Sequence, residues 1–151
     1  ARLFEAAAQI GAVLSKESEQ IETALANYGL HLGIAFQLID DVLDYSASPE
    51  DTGKNVGDDL AEGKPTLPLI HASHKGTPAQ ASLIRKAIEN GGHDNMQAVC
   101  AIIESTGAIP YTSHAAQREA DLALAALDPL PASAYKDALY GLAEFSVNRT
   151  Y

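Results

Sequence analysis

Residues 18–45, SEQIETALANYGLHLGIAFQLIDDVLDY, carry the pattern that decides the fold class. Ile21, Leu25, Tyr28, Leu32, Phe36, Ile39 and Leu43 advance by three or four positions, the spacing of a single helical face. The Ser18 hydroxyl can cap the first turn, and Glu19 and Glu22 complement the positive end of the helix dipole. The stripe predicts one long, buried helix from about Ser18 to Tyr45.

The same period recurs on both sides of it. Alternating β-branched runs are nearly absent, so the chain reads as all-α. Upstream, a helix runs to about Leu14, already under way at Ala1 without a capping residue. Downstream, Ser46 to Gly63 reads as a loop rich in Gly, Asp and Ser. A short helix follows from Pro65 to His74, and Thr77-Pro78 opens another that stops at Gly91-Gly92. Asp94 is placed to cap the next, ending near Gly107; Pro110 opens a helix to Leu127, and Ser133 to Val147 forms the last. Six or seven helices with short connections describe a helical bundle.

Length and charge narrow the function. The 151 residues, 46% hydrophobic, suffice for one core without disulfides, and the lone Cys100 reads as inert filler of a reducing compartment. Ten Lys+Arg against 20 Asp+Glu give −10, which argues against a nucleic-acid binder. Between Asp40 and Lys64, eight acids and two bases give 2 − 8 = −6, so the rest of the chain carries only −4. The most apolar run, Leu30 to Ile39, falls short of the ~20 residues of a membrane span.

That acidic stretch holds the candidate chemistry. Gly29, Gly33, Gln37, Asp40, Asp41 and Asp44 form a polar stripe beside the apolar one. Three carboxylates within one turn repel each other unless a cation joins them, and an all-oxygen set suits Mg²⁺ shared with a phosphorylated ligand. The two glycines are expected to leave room for a long ligand. Gly53-Lys54 and Gly63-Lys64 then place two ammonium groups in a flexible loop, where each suits a diphosphate. His71 and His74 lack a completing ligand, and no nucleophile-elbow pattern accompanies the Ser, His and Asp residues.

The run Phe36-Gln37-Leu38-Ile39-Asp40-Asp41-Val42-Leu43-Asp44-Tyr45 resembles the second aspartate-rich motif of trans-polyprenyl diphosphate synthases. Gly53-Lys54 to Pro68 is similar to the lysine-bearing loop that follows it. The resemblance implies an incomplete helical bundle of the isoprenoid synthase type. It also implies condensation of isopentenyl diphosphate with an allylic diphosphate into a long-chain all-trans product, a quinone side-chain precursor. By position, Asp40, Asp41 and Asp44 would hold Mg²⁺, Gln37, Lys54 and Lys64 would contact substrate, and Asp59 would orient Lys54 or a metal-bound water. A cytoplasmic homodimer is expected on the same ground. No second DDxxD exists here, so residues 1–151 are expected to be the C-terminal half of a single synthase domain, inactive alone. A noncatalytic synthase subunit and a terpene cyclase-like diphosphate lyase are the alternatives.

Overall fold

The computed structural model describes residues 1–46, 57–92 and 95–149, and among them it is helical throughout, with no strand. Eight helices follow in order: α1 (Arg2–Ser15), α2 (Glu19–Ser46), α3 (Asp58–Ala61), α4 (Leu67–Lys75), α5 (Pro78–Asn90), α6 (Met96–Ser105), α7 (Ala108–Ala126) and α8 (Ala134–Asn148). They form two compact units, Ala1–Ile39 with Ala115–Arg149, and Asp40–His114. Helices α2 and α7 each pass from one unit into the other.

Local chemistry sets most boundaries. Helix α1 stops where Lys16 turns left-handed and the Lys16 and Glu17 amides donate to Val13 and Ala12 carbonyls. In α5 the Thr77 hydroxyl accepts from the Gln80 amide while the Gln80 side chain accepts from the Thr77 amide. Gly91, at φ 75°, ends that helix. Ser133 caps α8 by accepting from the Lys136 amide at 3.2 Å.

Three expectations shift. The stretch expected as loop up to Gly63 contains α3, which raises the helix count to eight among the described residues. Gly57 enters it at φ 83°, a conformation costly for other residues, and Asp58 and Asp59 favour its N-terminus. Leu60, fully buried, then anchors the turn. Helix α7 begins at Ala108 rather than Pro110, because Ala108 is fully buried and the Thr112 hydroxyl donates back to its carbonyl. Asp94 lies outside the described residues, and Asn95 occupies the N-cap of α6.

In α2 the buried line is Ala24, Tyr28, Leu32, Ala35, Ile39 and Val42, while Ile21, Leu25, Phe36 and Leu43 are half-buried. The buried line thus includes two alanines, and the close backbone approach to α1 falls at Gly29 and Gly33. In the first unit Tyr28, Leu32, Ala123, Leu127 and Ala143 form the core. The buried Tyr28 hydroxyl donates to the Leu139 carbonyl at 2.8 Å, and burial raises its pKa to about 12. In the second unit Leu60, Leu69, Ile84, Val99, Ile102 and Ile103, with Ala72, Ala87 and Ala108, make a larger buried cluster.

Candidate functional site

The last turns of α2 carry Asp40, Asp41 and Asp44, all half-buried. Helical spacing puts Asp40 and Asp44 one turn apart with Asp41 beside them. Val42, between the acids on the same turn, is buried. The segment returning after residues 47–56 closes around them. The Gly57 amide donates to the Asp44 carbonyl at 2.9 Å, the Asp59 amide reaches Asp44 Oδ2 at 3.4 Å, and the Leu67 amide reaches Asp41 Oδ2 at 3.4 Å.

These donors do not offset the cost of clustered charge. Asp41 is pushed up to about 6, first by burial and then by the charges of Asp59, Asp40 and Asp44, against the pull of the Leu67 amide. Asp44 is also pushed up to about 6, by burial and by Asp59 and Asp58. Asp41 and Asp44 therefore keep their protons into the weakly acidic range unless a cation favours their charged forms. All donors are oxygen, the chemistry of a hard divalent ion that takes one or two carboxylates and leaves positions for water and phosphate. Among the described residues no three His, Cys, Asp or Glu side chains converge into a ready-made cage.

Asp59 belongs to this acidic group more intimately than its sequence position suggested. The motif ends at Asp44; only the fold of α3 brings the Asp59 charge against Asp41 and Asp44. Its carboxylate also pairs with Lys64 Nζ at 2.9 Å, and the same ammonium meets Glu62 at 2.6 Å. Those contacts push the Lys64 pKa up, keeping it cationic at the rim of the acids. Lys54, its expected companion, lies outside the described residues, so the expected Asp59–Lys54 relation does too.

The expected ligand space beside Gly29 and Gly33 is filled. A Cβ at Gly29 would run into the Phe4 carbonyl and lie 2.8 Å from Glu5 Cα, and one at Gly33 would lie 2.7 Å from Ala1 Cα. The glycines let α1 seat on α2, a packing role that residue type alone could not separate from a ligand groove. Gln37 is exposed, on the turn that precedes Asp40. On the preceding residue, Phe36, sits an arrangement that sequence reasoning missed. Arg149 donates from Nη2 to the Phe36 carbonyl at 2.9 Å and covers its ring at 3.8 Å, while Phe4 meets that ring at 5.6 Å. A generic arginine 113 residues away gives no signal of this.

The remaining candidates have structural roles. His71 stacks on Tyr111 at 4.0 Å, and His31 Nδ1 lies 2.8 Å from Glu119 Oε2. Burial and the nearby Asp44 charge push the Cys100 thiol up, which leaves it protonated and inert. It lines a cavity of about 330 Å³ with Tyr45, Ile103 and Ile109, next to Asp44 but without an aspartate in its lining. Among the described residues no helix is long and apolar enough to cross a membrane.

Comparison with known proteins fits this geometry. The polyprenyl synthetase family model matches residues 1–105. The chain is 53% identical to octaprenyl diphosphate synthase of Escherichia coli over 99% of its length, covering 46% of that protein. It is 44% identical to the geranyl-diphosphate-specific all-trans-nonaprenyl-diphosphate synthase of Rhodobacter capsulatus, covering 45% of it. Among solved structures, the polyprenyl synthase of Caulobacter crescentus, crystallised with calcium and isoprenyl diphosphate, superposes with a TM-score of 0.89 at 41% identity. That match covers 99% of this chain and 46% of the other. The chain thus spans about half the length of the curated relatives it matches. With the motif, the all-helical fold and the family model in agreement over most of its residues, the chain belongs to the polyprenyl synthetase family.

Proposed function

We propose that this chain supplies the second aspartate-rich diphosphate site of a long-chain trans-prenyltransferase. The observation that carries the reading is the shared acidic group at the end of α2. Asp41 and Asp44 are both pushed up to about 6 by burial and by one another's neighbours, an arrangement that is costly unless a cation comes to it. Asp40, Asp41 and Asp44 would hold Mg²⁺, and Gln37 would contact the allylic substrate. A bound divalent ion would neutralise the diphosphate and stabilise the charge that develops on it as it leaves.

The chain's own residues do the rest of the work proposed here. Lys64, kept cationic by Asp59 and Glu62, offers a point charge to the departing diphosphate, and Lys54 would be its companion. Asp59 holds Lys64 at the rim of the acidic group and holds Asp44 through its amide. The allylic C–O bond breaks with its electron pair leaving on the diphosphate. The double bond of isopentenyl diphosphate attacks the resulting cation, and loss of one proton restores the alkene. An apolar surround that excludes water protects that cation. The product is a long all-trans prenyl diphosphate, the intact enzyme is a cytoplasmic homodimer, and this chain contributes its C-terminal half.

The test uses the intact synthase containing this sequence, Mg²⁺ and labelled isopentenyl diphosphate. Asp40→Ala is expected to lower incorporation by at least about 10²-fold, the order lost when a group stabilising charge in the transition state is removed. Unchanged turnover would sink the site assignment. With the 151-residue chain alone, calorimetric titration of Mg²⁺ with inorganic pyrophosphate should give binding that Asp41→Asn and Asp44→Asn each weaken.

A further inference from the structure

Three residues near the end of α2 each meet one residue of the segment that follows residue 56. Asp44 faces the Asp59 amide and Asp41 the Leu67 amide, both at 3.4 Å, the long end of a hydrogen bond. The third is Tyr45, whose hydroxyl is pushed up by burial and drawn back by the Thr66 side chain. Tyr45 stands one turn beyond Asp41 on the same face of α2, and Thr66 directly precedes Leu67. Two neighbours at the head of α4 therefore lie against two positions a turn apart on α2.

Neither hydroxyl serves its own helix. Thr66 has the extended backbone of an N-cap, yet its side chain accepts no bond from α4, and it is buried. Tyr45 packs against the buried cluster of its unit. Both hydroxyl oxygens are shut off from water, and neither is at bonding geometry with a partner among the described residues. A buried hydroxyl in that condition is costly, and here two face each other. A small approach of α4 to α2 satisfies both. Because Leu67 follows Thr66, the same approach shortens the contact of its amide with Asp41. We propose that Tyr45 and Thr66 form a latch that seats the head of α4 and, through the Leu67 amide, fixes the Asp41 carboxylate for the cation and diphosphate. Both are positioning residues, and the inference rests on the reading of Asp41 given above.

The test protein is the intact synthase containing this sequence, with Tyr45→Phe, Thr66→Val, Thr66→Ser and the double variant Tyr45→Phe/Thr66→Val. Calorimetric titration of Mg²⁺ with inorganic pyrophosphate should show affinity about tenfold lower in Tyr45→Phe and in Thr66→Val, the order lost with a group that orients a metal ligand. The double variant should lose no more than either single, because one contact is removed in all three, and Thr66→Ser should bind within about twofold of the unsubstituted enzyme. The Leu67 amide should exchange several-fold faster in Thr66→Val than in Thr66→Ser, with or without pyrophosphate. A pair that only fills space gives the opposite result: removing a buried hydroxyl that bonds to nothing raises the urea midpoint and leaves affinity unchanged. That outcome would overturn the proposal, as would losses that add in the double variant or an equal loss in Thr66→Ser. Should Tyr45→Phe fail to fold, Thr66→Val against Thr66→Ser still decides. If Asp41→Asn leaves pyrophosphate binding intact, the catalytic reading fails, whereas the latch stands or falls on the difference in Leu67 exchange.

Discussion

The unit of residues 40–114 and the unit of residues 1–39 with 115–149 solve the same packing problem to different degrees. In the first, Leu60, Leu69, Ile84, Val99, Ile102 and Ile103 are buried together, and among the described residues only Ile70 and Tyr111 stand exposed as large apolar groups. In the second, only five residues make the central cluster against nine, and nine large apolar groups are exposed among the described residues, from Leu3 on α1 to Phe145 on α8. The unit with the larger buried cluster also carries the acidic group. Charged carboxylates need a rigid frame to be held together against repulsion, and large interlocking side chains supply one.

The largest effect should come from the larger buried cluster. Leu60→Ala removes a fully buried side chain and is expected to cost about 3 kcal/mol, read as a lower urea midpoint; a loss below about 1 kcal/mol would mean that this core is looser than its burial states. Gly29→Ala tests the other unit, where the added Cβ meets the α1 backbone. It should cost about 2 kcal/mol and loosen α1 in amide exchange, because backbone yields less readily than a side chain. If Gly29→Ala is neutral, α1 is not seated through that contact.

Next in size is a pH effect confined to the acidic unit. Asp41 and Asp44 sit at about 6 in the folded chain, against an ordinary 3.8. The folded state therefore retains protons that the unfolded chain has released, and stability falls as pH rises from about 4 to 6. Discounted for partial exposure, the pair should make the metal-free chain on the order of 1–2 kcal/mol less stable at pH 7 than at pH 4. Urea midpoints at both pH values should differ less in Asp41→Asn/Asp44→Asn, and Mg²⁺ should narrow the gap in the unsubstituted chain. The smallest effect belongs to Leu14→Ala, expected within about 0.5 kcal/mol of zero in the isolated chain since that side chain is 77% exposed. A loss comparable to that of Leu60→Ala would erase the contrast between the units.

How much of this was legible beforehand depended on distance along the chain. The long helix, the Thr77 cap, the stop at Gly91 and the Asp40–Asp41–Asp44 grouping all follow from residues within one or two turns of each other. The one-turn helix at Asp58–Ala61 was missed because a single turn carries no period; burial of Leu60 secures it. Thr112 bonding back to Ala108 shifted a boundary that proline alone had suggested.

By itself, the sequence determined that the chain is all-helical, that its charge concentrates in one stretch, and that three carboxylates share a helix turn, since side-chain period and spacing are local quantities. Only the tertiary structure decided that Gly29 and Gly33 receive a helix instead of a ligand, that Asp59 joins the acids of α2, and that Arg149 covers Phe36. Each of these depends on which backbone lies against which, and helical periodicity sets the face of a helix without naming its neighbour.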